Sequence, residues 1–79
     1  MQLTVRYFAS FRDSAGIERE ALSLDVSTTG ELFDALASKL QAGEPRAHCK
    51  VAVNDELVDW SEPLHDGDEV LLFPPVAGG

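Results

Sequence analysis

The 79-residue sequence ends in Gly78-Gly79, directly after Phe73-Pro74-Pro75-Val76-Ala77. Glycine has no Cβ, so a diglycine end can thread a narrow protein tunnel that any side chain would block. The group it would deliver is the main-chain carboxylate of Gly79. That group has a pKa of about 3.5, is ionised at neutral pH and is therefore a poor electrophile. It needs activation, most simply by adenylation. The sequence has no phosphate-cradling Gly-rich loop with which to do this itself, so a separate ATP-using enzyme is expected to act on Gly79. Pro74 and Pro75 end any preceding strand and keep the exit extended. From Pro74 the tail would reach about 20 Å at roughly 3.3 Å per residue. The same residues also fit a frayed, inert terminus.

The elements that must hold this tail are legible from periodicity. Met1 to Ala9 predicts a strand, with Leu3, Val5 and Tyr7 alternating against Gln2, Thr4 and Arg6. Phe8 falls on the polar face of that strand. Phe11 to Gly16 reads as a loop, with Asp13, Ser14 and Gly16 as turn residues. Arg19 to Val26 predicts a second strand forming a hairpin with the first. Thr28 followed three residues later by Glu31 has the form of a capping box and opens a helix. Leu32, Phe33, Leu36, Ala37 and Leu40 form its apolar stripe. Gly43 is the expected stop, and Pro45 forbids continuation. Cys49 to Val53 predicts a strand, Asn54-Asp55 a turn and Glu56 to Val58 a brief strand. Ser61 to Asp68 reads as a loop, and Glu69 to Phe73 as a last, apolar, central strand.

A lone helix between a hairpin and later strands can pack its stripe on one sheet face. The expected fold is therefore α+β: a β-grasp (ubiquitin-like) mixed sheet packed on one main helix. Residues 1–79 form a single domain in this reading, with a flexible C-terminal tail at 74–79. A domain this small buries only about 60% of its unfolded surface, so a deep enclosed active site is not expected. The chemistry belongs at the terminus, completed by a partner.

Net charge is −8, from fourteen acidic and six basic residues. That argues against nucleic-acid and anionic-membrane partners, both of which attract Lys/Arg patches. It favours basic docking surfaces. Cys49 is the sole cysteine, so no internal disulfide can form. With no signal-peptide pattern and no membrane-length apolar run, the cytoplasm is the expected setting. Cys49 reads as a bland buried thiol rather than a sulfur relay. His48 and His65 are too isolated to suggest a metal site. Asp66-Gly67-Asp68-Glu69 reads as a turn, because the spacing of a calcium loop is absent.

Alternation also supplies a docking face. If Val70 and Leu72 face the helix, Leu71 and Phe73 face away. The first and last strands are neighbours in a β-grasp sheet, so Phe8 and Phe73 should adjoin on the surface opposite the helix, with Leu57 as a further member. An exposed aromatic cluster beside the tail is an interface candidate.

The chain resembles the small subunit of molybdopterin synthase, a ubiquitin-like sulfur carrier family. The resemblance rests on Val53-Asn54, Leu57-Val58 and Pro63-Leu64. It continues through Asp66-Gly67-Asp68-Glu69-Val70, Phe73-Pro74-Pro75-Val76 and Gly78-Gly79, with Tyr7-Phe8-Ala9 and Phe11-Arg12 near the start. It runs the whole length in order and is most specific from Asp66 to Gly79. It implies that an ubiquitin-activating-like adenylyltransferase adenylates Gly79 and that a persulfide donor converts it to a thiocarboxylate. The tail, from Pro74 and Pro75 through Val76 and Ala77 to Gly78, then enters the large synthase subunit. There sulfur passes to cyclic pyranopterin monophosphate in molybdenum cofactor biosynthesis. The resemblance further implies a heterotetramer with the active site in the large subunit. This chain would be a non-catalytic, sulfur-donating subunit holding no metal or tight cofactor, and ATP would be used by the activating partner. Phe8, Leu57 and Phe73 map to a family docking patch. Arg12 matches a family position that would pair with an acidic partner residue, and it equally fits a solvated surface arginine. Two other functions fit the same tail: a sulfur carrier for thiamine thiazole or tRNA thiolation, and a protein modifier that forms isopeptides with lysines.

Overall fold

The computed structural model describes residues 1–43 and 45–75. Strand β1 (Gln2–Tyr7) buries Leu3, Val5 and Tyr7 on one face. It pairs antiparallel with β2 (Arg19–Ser23), placing Leu3 opposite Leu22 and Arg6 opposite Arg19. β2 stops short of the expected Val26. Leu24 and Val26 still pack against the core, and the Leu24 N–H donates to the Met1 carbonyl at 3.0 Å.

The connection between these strands is a helix rather than the expected loop. Helix α1 (Ala9–Ala15) buries Phe11, whose ring meets Phe33 edge-on at 6.1 Å. Gly16, in a left-handed conformation at φ 75°, closes the helix and donates its N–H to the Arg12 carbonyl. No side chain caps its N-terminus. One buried aromatic carries the element, so the turn-forming Asp13 and Ser14 outweigh the helical signal when the sequence is read without the core beside it.

Helix α2 (Thr29–Leu40) crosses the sheet, with Leu32, Phe33, Leu36 and Leu40 buried. The capping pattern forms with a shift. Thr28 Oγ1 accepts from the Glu31 N–H at 3.2 Å, while the Glu31 carboxylate accepts from the Ser27 N–H at 2.8 Å, one residue ahead of the cap. The next orphan donors find loop carbonyls: Thr29 N–H to Glu62 O at 3.0 Å and Gly30 N–H to Trp60 O at 2.9 Å. The helix ends on Gln41, left-handed at φ 52°, and not at Gly43. The Ala42 N–H satisfies the Ala37 carbonyl at 3.2 Å, and the true stop lies two positions before the glycine. A 3₁₀ turn (Arg46–His48) follows Pro45.

β3 (Lys50–Val53) and β4 (Glu56–Val58) form a hairpin across Asn54 (φ 51°) and Asp55 (φ 70°). Two positive φ angles at its centre match the strand twist. β5 (Glu69–Phe73) lies between β1, parallel, and β3, antiparallel, in the order β2-β1-β5-β3-β4. A mixed sheet with a central parallel pair and a crossing helix is the β-grasp arrangement, here with α1 added.

The turn before β5 uses its acids as structural acceptors. Asp68, buried, accepts from Asn54 Nδ2 at 3.0 Å and from the His65 N–H at 2.8 Å. Asn54 Oδ1 accepts from the Glu69 N–H at 3.0 Å, and Asp66 accepts from the Gln2 N–H. Among the described residues no grouping of His, Cys, Asp and Glu could hold a metal ion. Nor is any helix among them long and apolar enough to cross a membrane.

Candidate functional site

Alternation along β5 decides what surrounds the root of the tail. Val70 and Leu72 are fully buried against the helices. Leu71 and Phe73 point to the other face. The parallel register pairs Arg6 with Leu71 and Tyr7 with Leu72, so Phe8 arrives beside Phe73 one step later. Their rings stack with centroids 4.6 Å apart and planes 20° from parallel. Ala9, the residue after Phe8, is held at φ 50°; the chain turns away there into α1. The Arg6 guanidinium sits over the Phe8 ring, 5.4 Å from its centroid. Both aromatics are half-buried.

A second row crosses the same face, running Arg19, Arg6, Leu71, Ala52 and Leu57 through successive register pairs. Leu57 is 70% exposed and stands at the β4 end of this row, two strands from the stack. Leu71 and Ala52 are buried between the two. Arg12 is exposed on α1 and makes no ion pair among the described residues. Pro74 and Pro75 leave β5 half-buried, along a cleft of about 150 Å³ between α1 and the end of α2. Val76, Ala77, Gly78 and Gly79, to which the sequence assigns the chemistry, lie outside the described residues.

Behind this face, under β1, lies the principal charged cluster. The Tyr7 hydroxyl, on a buried ring, donates to Glu20 Oε2 at 2.6 Å, and Lys39 Nζ donates to the same oxygen at 2.7 Å. Burial, and then the Glu20 hydrogen bond, push the Tyr7 hydroxyl above its ordinary pKa. The Lys39 bond, and then the Tyr7 bond, hold Glu20 below the usual carboxylate value. The cluster ties β1, β2 and α2 together. Cys49 is buried beside the proline cleft, with Sγ 3.8 Å from the Pro45 carbonyl. His48 and His65 are exposed.

Sequence reasoning brought Phe8 and Phe73 together but missed their basic surroundings. The signal was available: Arg6 precedes Phe8 by one strand period, and Lys50 opens the strand that pairs with β5.

The fold and this sheet face can now be set beside known proteins. Residues 5–79 match the ThiS family. The chain belongs to the ThiS family. Its similarity to curated members extends end to end. It is 36% identical to the molybdopterin synthase sulfur carrier subunit of Escherichia coli (strain K12), covering 98% of this chain and 99% of that one. It is 37% identical to small archaeal modifier protein 3 of Haloferax volcanii, covering all of both. Among solved structures, SAMP1 from Haloferax volcanii superposes with a TM-score of 0.77 at 31% identity over both full chains. A chain from the complex of subunits 1 and 2 of the molybdopterin-converting factor of Helicobacter pylori does so at 0.66 and 34%, again over both full chains. This ThiS-family chain thus shares its fold with sulfur carriers and archaeal modifiers alike.

Proposed function

We propose that this chain is the sulfur carrier subunit of a molybdopterin synthase, working through the carboxylate of Gly79. The observation that carries the reading is the Phe8–Phe73 stack, seated where β5 hands over to Pro74-Pro75. It gives a partner an apolar foothold at the base of an arm about 20 Å long. In the proposed cycle the Gly79 carboxylate attacks the α-phosphate of ATP on an activating enzyme and releases pyrophosphate. The terminal sulfur of a persulfide displaces AMP from the acyl-adenylate. A thiol then cleaves the resulting acyl disulfide, leaving a thiocarboxylate. The tail enters the large subunit, where sulfur passes to the pterin precursor and hydrolysis restores the carboxylate. This chain contributes the arm and the docking face and holds no cofactor of its own. The full-length likeness to a synthase carrier and to a chain solved with its second subunit supports this assignment.

The direct experiment is reconstitution with the large subunit, the activating enzyme, ATP and a sulfur source. Removing Gly79 is expected to abolish conversion of the pterin precursor while leaving the melting temperature unchanged. A truncated chain with full activity would sink the reading.

A second reading has its own support, the equally complete likeness to an archaeal modifier protein. It predicts covalent adducts of higher mass joined from Gly79 to lysines of other proteins. A third, carriage of sulfur for thiazole or tRNA thiolation, differs only downstream, and the cofactor lost from a deletion strain separates it. The Phe73-Pro74-Pro75-Val76 lead-in favours the molybdopterin branch.

A further inference from the structure

In a chain of net charge −8, the six Lys and Arg residues are unevenly placed. Lys39 and Arg46 are held by Glu20 and Asp34 at 2.7 and 3.0 Å. Arg6, Arg19 and Lys50 stand instead on the open sheet face. Paired positions in adjacent strands share a face. Arg6 pairs with Arg19 on one side and with Leu71 on the other, and Lys50 pairs with Phe73. The three cations therefore share the face of the aromatic stack, with Arg6 over Phe8 and Lys50 paired with Phe73, and none of them enters an ion pair among the described residues. Of the described strand residues, alternation puts one carboxylate on this face, Glu69, at the opposite end of β5 from the tail. Glu18 lies at the sheet edge, bordering a shallow depression with Arg6, Arg19 and Ile17. The Arg6–Arg19 pair sets like charges directly opposite each other across two strands, which disfavours the isolated sheet. An acidic neighbour would relieve it.

We propose that the protein that seats on this face presents an apolar pocket rimmed by carboxylates, facing Arg6, Arg19 and Lys50. This rests on the docking role given above to the Phe8–Phe73 face and adds the chemistry of its partner. It reverses what net charge implies. An acidic chain as a whole is drawn to basic surfaces, but the patch at the root of its tail has the opposite sign. Charge of this kind at a rim acts on association rate and its salt dependence more than on residence time. Close approach along the tail would then be guided locally, with the acidic remainder of the chain turned away from the partner's carboxylates.

The test is association of the full chain with the large synthase subunit, measured as an on-rate at low and high salt. R19E and K50E, singly and together, are compared with R19Q/K50Q and with F73A. Both residues are exposed, and melting curves confirm folding. The double reversal is expected to slow association by about tenfold or more at low salt, with the difference shrinking at high salt. The neutral pair should fall in between, and it carries the test if the reversal fails to fold. Unchanged or faster association of the reversed chain, as a basic partner surface would give, overturns the proposal. If F73A binds poorly while the charge variants bind normally, the docking face stands and the acidic rim falls. If F73A binds normally, the docking face itself falls and this proposal with it.

Discussion

At Gly30 the α2 backbone passes under the Trp60 carbonyl and over the Arg46 guanidinium. A Cβ there would lie 2.8 Å from the carbonyl oxygen and 3.0 Å from Arg46 Cζ. The carbonyl is fixed by its bond to the Gly30 N–H at 2.9 Å, so the clash cannot be relieved by a rotamer change. G30A is expected to cost about 1–3 kcal/mol, read as a lower urea midpoint. G43A, where nothing lies within 4 Å of the new methyl, should leave the midpoint in place. Tyr7 gives the second prediction at this scale. Its folded pKa is raised from an ordinary value of 10.0, so its contribution is complete below that value and is lost as pH climbs above it. Glu20, depressed from 4.5 by Lys39 and then by Tyr7, contributes at neutral pH and loses that contribution as pH falls below the ordinary value. Y7F should therefore flatten the alkaline limb of a stability-against-pH curve. It should also steepen nothing at neutral pH beyond a uniform loss of about 1 kcal/mol. An alkaline limb identical in Y7F and the parent would contradict this account.

Among the elements, β1 was legible from its strict alternation and β5 from its continuous apolar run. β1 and β5 share one register, and that register alone places Phe8 beside Phe73. α2 was legible from its cap and its Leu32-Leu36-Leu40 stripe. α1 was not, because a helix of seven residues with one buried side chain has no periodicity to read. It exists because Phe11 finds Phe33, a contact across the chain that local sequence does not announce. The α2 stop was misplaced for a similar reason. Gln41 adopts the left-handed conformation that Gly43 would adopt more readily, and backbone bonds to Ala37 and Ser38 hold it there. The docking elements make a separable prediction. Phe73 is half-buried, and F73A removes a stacked pair worth about 0.5–1.5 kcal/mol to the fold. Binding should suffer more than stability, by about tenfold or more in Kd if the ring is an anchor. Calorimetric titration beside a melting curve separates the two effects.

At the scale of the whole molecule, two properties that sequence states only as totals become directional. Net charge of −8 is a sum. The fold sorts it, gathering Arg6, Arg19 and Lys50 on the face of the aromatic stack. The apolar fraction is likewise divided between a core under α2 and a smaller open face of Leu71, Ala52, Leu57, Phe8 and Phe73. Both asymmetries converge on the end of β5 from which Pro74 and Pro75 depart. The far end of that arm is where the chemistry is to be tested. Incubate the chain with its activating enzyme, ATP and a persulfide source, and record its intact mass. The predicted result is a gain equal to one oxygen-to-sulfur exchange, located at Gly79 by fragmentation and absent when ATP is withheld. A mature chain that keeps residues beyond Gly79, or a terminal carboxylate that never acquires sulfur under these conditions, would contradict it.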